Sequence, residues 1–118
     1  MPDKYIVAID QGTTNAKAAV VGIDGTLMAT AAHAIPLIRT EDDGVEQDPN
    51  VVWDTIKLIV VQVVRESQVQ KDDIEAVICI TQYSSIIPVD ANGIPTMNMV
   101  THMDGRATRE KLKKYSGF

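Results

Sequence analysis

Tyr5-Ile-Val-Ala-Ile-Asp-Gln-Gly-Thr-Thr-Asn-Ala-Lys17 joins an apolar run to the start of a second one through a glycine turn. Residues 5–9 form an apolar run rich in strand formers and without alternation, the pattern of a strand buried on both faces. Asp10-Gln11-Gly12 ends that run. A second run, Ala16 to Ile23, follows after a turn at Gly12 to Asn15. Two strands joined so tightly run antiparallel. Asp24-Gly25 is a further hairpin signal, and Thr26 to Ile35 completes the pair. The first 35 residues therefore read as three consecutive antiparallel strands.

Pro36 to Gln47 reads as a polar connection containing Glu41-Asp-Asp-Gly44. Asp48-Pro49 then looks like a helix start, with a carboxylate at the N-cap and proline at the first helical position. Val52, Ile56, Ile59, Val60 and Val63 recur on one helical face. The β-branched run Ile59 to Val64 suits a strand on propensity alone, but the periodicity and the cap decide for helix. Glu75 to Ile80 reads as another strand buried on both faces. A strand, a helix of this length and a strand make a right-handed crossover, so this strand is expected to run parallel to an earlier one. Ile86 to Val89 and Ile94 to Val100, around Asp90-Ala-Asn-Gly93, read as a small hairpin. From Asp104 the chain reads as a helix with a solvated basic face (Arg106, Arg109, Lys111, Lys113, Lys114), stopping at Ser116-Gly117-Phe118.

The fold class is thus α/β: three antiparallel strands, a crossover helix, a parallel strand, a small hairpin and a C-terminal helix. That order begins the mixed sheet of the ribonuclease-H-like (actin-like ATPase) architecture and leaves it incomplete. Strands 5–9 and 76–80 are apolar on both sides and want helices on both sheet faces. One long helix precedes residue 104, so one sheet face is expected to be bare.

The chain has 118 residues, 45% hydrophobic and 23% charged, enough for one domain. Eleven basic against sixteen acidic residues leave a net charge of −5, which argues against a nucleic-acid or anionic-membrane binder. Cys79 has no cysteine to pair with inside the chain, and the N-terminus lacks the basic and apolar regions of a signal peptide. No apolar stretch is long enough to span a bilayer. A cytoplasmic setting is the expectation.

The chemistry centres on Asp10 to Lys17. An acidic residue ends a buried strand, and a glycine with two hydroxyl residues makes the turn. Glycine lets the backbone approach a phosphate, and successive turn amides make an anion-binding nest. Asp10 suits Mg²⁺, which usually takes one or two carboxylates and completes its shell with phosphate oxygens. Lys17 adds positive charge beside the turn. An ordinary Gly-Thr hairpin with an exposed lysine fits the octapeptide equally well.

Five blocks together resemble the FGGY carbohydrate kinases: Asp10-Gln-Gly-Thr-Thr14, Gly44-Val-Glu-Gln-Asp-Pro49 with Trp53, Ala76-Val-Ile-Cys-Ile-Thr-Gln82, Asp90-x-x-Gly-x-Pro95 and Asp104-Gly-Arg-Ala107. They occur in the family's order and cover nearly the whole chain. The resemblance implies ATP- and Mg²⁺-dependent phosphorylation of a sugar or polyol hydroxyl in a cleft between two ribonuclease-H-like domains. It makes Asp10 a metal and phosphate residue, Gly12, Thr13 and Thr14 the turn that meets the transferred phosphate, and Lys17 a basic residue beside it. Gln82, Tyr83 and Ser84 match the segment that contacts the acceptor. Glycerol kinases carry Gln-Arg-Glu there and xylulose kinases Gln-Met-His, whereas this chain has Gln-Tyr-Ser. A polar strand-end loop without a ligand is the plainer reading of the same residues. Asp104 is either a substrate contact or a helix cap. His102 stands where the family has tryptophan, and Trp53 is expected in the core.

The resemblance puts the general base beyond Phe118 and the adenosine site in a second domain. Residues 1–118 are then the N-terminal portion of a first domain, inactive alone, with the activity belonging to a parent kinase. The alternative is a non-catalytic nucleotide-binding or dimerisation module derived from such a domain. Either way the bare sheet face is expected to drive homo-oligomer formation.

Overall fold

A computed structural model describes residues 2–115. In chain order the elements are β1 (Tyr5–Gln11), β2 (Asn15–Gly22), β3 (Leu27–Ala34), β4 (Ile38–Arg39), β5 (Val45–Gln47) and α1 (Pro49–Ser67). A 3-10 turn at Lys71–Asp73 leads to β6 (Ile74–Thr81), followed by β7 (Met99–Val100), α2 (Arg109–Leu112) and a 3-10 turn at Lys113–Tyr115. The chain divides into two compact units, one running to Ile35 and resuming at Asn50–Gln82, the other formed by Pro36–Pro49 and the residues from Tyr83 onward.

The first unit holds a sheet of order β3-β2-β1-β6. β1 and β2 pair antiparallel, as do β2 and β3, while β6 runs parallel to β1 after the α1 crossover. Tyr5, Val7, Ile9, Ala16, Ala18, Val20 and Ala31 are buried on one side of this sheet. The buried stripe of α1, Val52, Ile59 and Val63, covers that side. His33, paired with Ala16, reaches Gln62 of the helix with Nε2 at 2.8 Å from Oε1. Side-chain burial against the sheet thus overrides the β propensity of residues 59–64, and the helical periodicity reads correctly.

The opposite side is uncovered, as the shortage of helices predicts. The register puts Ala8, Ala19, Thr30 and Ile78 in one row and Asp10, Lys17, Ala32 and Ile80 in the next. Ile78 and Ile80 are exposed, Ile80 at 62%. β6 is an edge strand, and Val77 on its helix-side face is also exposed, so α1 reaches β1, β2 and β3 but not β6. Residues 75–80, expected to be buried on both faces, are exposed on both, because β6 sits at the sheet edge beyond the reach of α1.

The Asp24-Gly25 hairpin forms with a longer connection than its two-residue signal suggests. Gly25 has φ +89° while Asp24 keeps an ordinary negative φ, and the Thr26 N–H donates to the Asp24 carboxylate at 2.9 Å. The turn is thus an Asx-type loop and not the paired left-handed turn of the shortest hairpins.

The second unit has a three-stranded sheet of order β4-β5-β7 within and beyond the segment expected to be a plain connection. The expected hairpin at 86–100 reduces to isolated bridges, Ile86 with Val100 and Val89 with Pro95, around the Asp90–Gly93 turn. The expected helix from Asp104 starts only at Arg109. Residues 104–106 are instead tied into a turn, with the Asp104 N–H donating to Thr101 and the Gly105 N–H to Asp43. The expected stop at Ser116-Gly117-Phe118 lies outside the described residues.

Candidate functional site

In the first unit, β1 ends in Asp10 and Gln11 and the chain reverses through Gly12–Asn15 into β2. A Cβ on Gly12 would lie 2.7 Å from the Asn15 carbonyl oxygen, so the turn is too tight for any other residue without a backbone shift. The Ile35 N–H closes the turn from below by donating to the Thr14 carbonyl at 2.8 Å. Asp10 and Lys17 are cross-strand partners on the uncovered face, both exposed. Among the described residues no hydrogen bond or ion pair engages the Asp10 carboxylate.

Gln82 joins this group from the end of β6. Its N–H donates to the Gln11 carbonyl at 2.7 Å, and the Thr13 hydroxyl donates to its Oε1 at 3.2 Å. Asp10, Gly12, Thr13, Thr14, Lys17 and Gln82 thus gather at the carboxyl ends of two adjacent parallel strands, the position where open α/β sheets bind ligands. Beside them lies an open depression of about 480 Å³, with Asp10 and Lys17 at its polar end and Ala8, Ala19, Ile78 and Ile80 among its apolar lining.

The donor set suits a metal–phosphate group in one respect and limits it in another. No cluster of three or more His, Cys, Asp or Glu side chains that could hold a metal exists among the described residues. A cation at Asp10 would take one protein carboxylate and draw its other ligands from phosphate oxygens and water, the habit of Mg²⁺. The exposed, unengaged Asp10 carboxylate fits that demand.

Tyr83, Ser84 and Asp104 fall in the second unit. Tyr83 is 87% exposed, and Ser84 has φ +54°, a left-handed conformation uncommon for a serine. Asp104 caps no helix. Its Oδ2 accepts the Val45 N–H at 2.8 Å and the Arg106 guanidinium at 2.7 Å, and its Oδ1 accepts the Arg106 backbone N–H at 3.0 Å. Hydrogen bonds from the Arg106 side chain, with lesser help from the Val45 and Arg106 amides, hold the Asp104 carboxyl down at about 2 despite its burial.

Arg106 also pairs with Glu46 at 2.8 Å, and Glu46 accepts the Asn98 side-chain N–H at 3.0 Å. The sequence places Arg106 on a solvated helix face and Glu46 in a polar connection. Their meeting is long-range and carries no local signal. Trp53, expected in the core, is 60% exposed on the outer side of α1, with the Lys57 ammonium 5.8 Å from its ring centre. Its position lies off the buried Val52–Ile59–Val63 stripe, which explains the difference.

Residues 5–115 match the sequence model of the N-terminal domain of the FGGY family of carbohydrate kinases. A glycerol kinase of Clavibacter michiganensis is 31% identical over 110 residues, covering 92% of this chain and 22% of that protein. A glycerol kinase of Corynebacterium kroppenstedtii is 30% identical over 118 residues, covering 99% of this chain and 23% of that protein. Among solved structures, a ligand-bound xylulose kinase from Lactobacillus acidophilus superposes with TM-score 0.77 at 28% identity, covering 86% of this chain and 20% of that one. The chain spans about a fifth of the length of the relatives it matches.

Proposed function

The chain belongs to the FGGY family of carbohydrate kinases, and from that premise we propose that it is the N-terminal part of an ATP-dependent phosphotransferase acting on a sugar or polyol hydroxyl. The observation that carries the reading is the exposed, unengaged Asp10 carboxylate at the end of a buried strand, opposite Lys17 and beside the glycine-tight turn. In this reading Mg²⁺ bound with ATP neutralises phosphate charge. Asp10 holds that cation, the amides of the Gly12–Asn15 turn and the hydroxyls of Thr13 and Thr14 receive the phosphate to be transferred, and Lys17 adds charge beside it. Phosphoryl transfer is mostly positioning and electrostatic stabilisation, which a fixed turn of this kind supplies.

Gln82, Tyr83 and Ser84 form the acceptor side of the proposal. The exposed Tyr83 ring suits stacking on a sugar face, and Ser84 suits a hydroxyl. Asp104, the further acceptor residue of the proposal, has both oxygens engaged by Arg106 and the Val45 amide. The relatives bear the names of glycerol and xylulose kinases, and the Gln-Tyr-Ser loop matches neither pattern, so the acceptor is proposed only as a sugar or polyol. The general base and the adenosine site are proposed to lie outside residues 1–118, with residues 1–118 the incomplete first domain and the chain alone inactive. No helix among the described residues is long and apolar enough to cross a membrane, and a cytoplasmic enzyme without nucleic-acid or membrane partners is the proposed setting.

A second reading, a non-catalytic module that self-associates, is favoured by the exposed Ile78 and Ile80 on the uncovered sheet. Coupled-enzyme detection of ADP separates the two. Protein expressed from the complete reading frame of the gene is expected to release ADP with at least one member of a sugar and polyol panel, while residues 1–118 release none. Absence of turnover across the panel by the complete product would favour the module.

A further inference from the structure

The Thr13 hydroxyl carries one proton, and here it is given to Gln82 Oε1 at 3.2 Å, between residues 69 positions apart. Gln82 is anchored by its own backbone, whose N–H bonds Gln11 one step beyond the last β1–β6 pair, Gln11 with Thr81. Strand pairing therefore holds the Gln82 side chain against the phosphate turn.

A hydroxyl donates once, while its oxygen still accepts. A phosphate oxygen is charged and is a stronger acceptor than an amide carbonyl. An anion in the turn therefore draws the Thr13 proton away from Gln82. Glutamine can answer by rotating its amide, so that Nε2–H donates to Thr13 Oγ1 while Thr13 donates to the anion. Successive bonds in such a chain polarise one another. Glutamate at this position offers acceptors only, and methionine offers no donor.

We infer that Gln82 is a positioning residue on the phosphate side, whose amide turns over when a phosphate group enters the Gly12–Asn15 turn and so sets the Thr13 hydroxyl to donate to it. The inference rests on the turn being a phosphate site, and it gives Gln82 a task distinct from the acceptor contact suggested by resemblance.

The test is a titration of the ¹⁵N-labelled chain with MgATP and, separately, with magnesium tripolyphosphate, following the amides of residues 12–15 and the Gln82 side-chain NH₂. Tripolyphosphate isolates the phosphate contribution from any made by adenosine. Gln82→Met is expected to weaken binding roughly fivefold when residue 13 is threonine, the worth of one hydrogen bond. In a Thr13→Val background the same change is expected to have no effect. In the otherwise unaltered chain the Gln82 NH₂ signals are expected to move with the turn amides, and in Thr13→Val they are expected to stay put, a readout that needs no variant at 82. Equal losses in both backgrounds, no loss at all, or an unmoved Gln82 NH₂ on binding would overturn this inference alone. Turn amides that respond to neither ligand would overturn the phosphate reading and this inference together.

Discussion

Replacing Asp104 by asparagine removes the charge around which the second unit is tied. The carboxylate is only 8% exposed and accepts hydrogen bonds from the Val45 amide, the Arg106 amide and the Arg106 guanidinium. These donors favour the ionised form, chiefly the guanidinium, and hold the carboxyl at about 2 against an ordinary 3.8. The sign follows from that depression: stabilisation is complete above the unfolded value near 4 and is lost as pH falls through the folded value near 2. A difference approaching two units, at about 1.4 kcal/mol each, gives roughly 2 kcal/mol. Urea unfolding followed by far-UV circular dichroism measures it, with exchange of the Val45 amide as a local probe. At pH 6, Asp104→Asn is expected to be about 2 kcal/mol less stable, with faster exchange at Val45. Between pH 4 and pH 2 the two proteins should converge, because protonation does to the aspartate what the substitution does permanently. Other carboxylates titrate in both proteins and cancel in the difference. A gap that stays constant down to pH 2.5, or no gap at pH 6, would mean that the Asp104 charge does not hold this cluster together.

Ile59 is fully buried at the centre of the α1 stripe, so Ile59→Ala should cost about 2–5 kcal/mol in denaturant unfolding; a loss under 1 kcal/mol would mean the helix does not pack as described. Gly12→Ala drives a methyl to 2.7 Å from the Asn15 carbonyl and should cost about 1–3 kcal/mol while abolishing any MgATP response, read by calorimetry. The uncovered sheet face should make the 118-residue chain self-associate at micromolar concentration, and Ile78→Lys with Ile80→Lys should lower the mass seen by light scattering. A clean monomer before substitution would count against that surface.

The first sheet was legible because its signals are local. Runs 5–9 and 16–23 flank a glycine turn, Asp24-Gly25 flags the next reversal, and Asp48-Pro49 precedes a stripe of helical period. The tight Gly12–Asn15 turn was legible for the same reason, since Asp10, Gly12, Thr13, Thr14 and Lys17, the residues proposed to meet phosphate there, lie within eight consecutive positions. The second unit was not, because its order is written at long range. β5 is three residues long and is held by Thr101 and Asp104, whose N–H and carboxylate meet the Val45 backbone from more than fifty residues away. Residues 104–106 have the composition of a helix start, yet Arg106 finds Asp104 and Glu46, and that cluster delays the helix to Arg109. Gln82 belongs to both classes: its place after an apolar run is visible in sequence, but its bond to Thr13 depends on the parallel pairing of β1 and β6.

Calorimetry with MgATP on the 118-residue chain and on its Asp10→Ala variant puts the proposed phosphate site to the test. Weak, phosphate-directed binding by the unaltered chain and none by the variant is the predicted result. Equal affinities in the two proteins would remove Asp10 from the site and contradict the account.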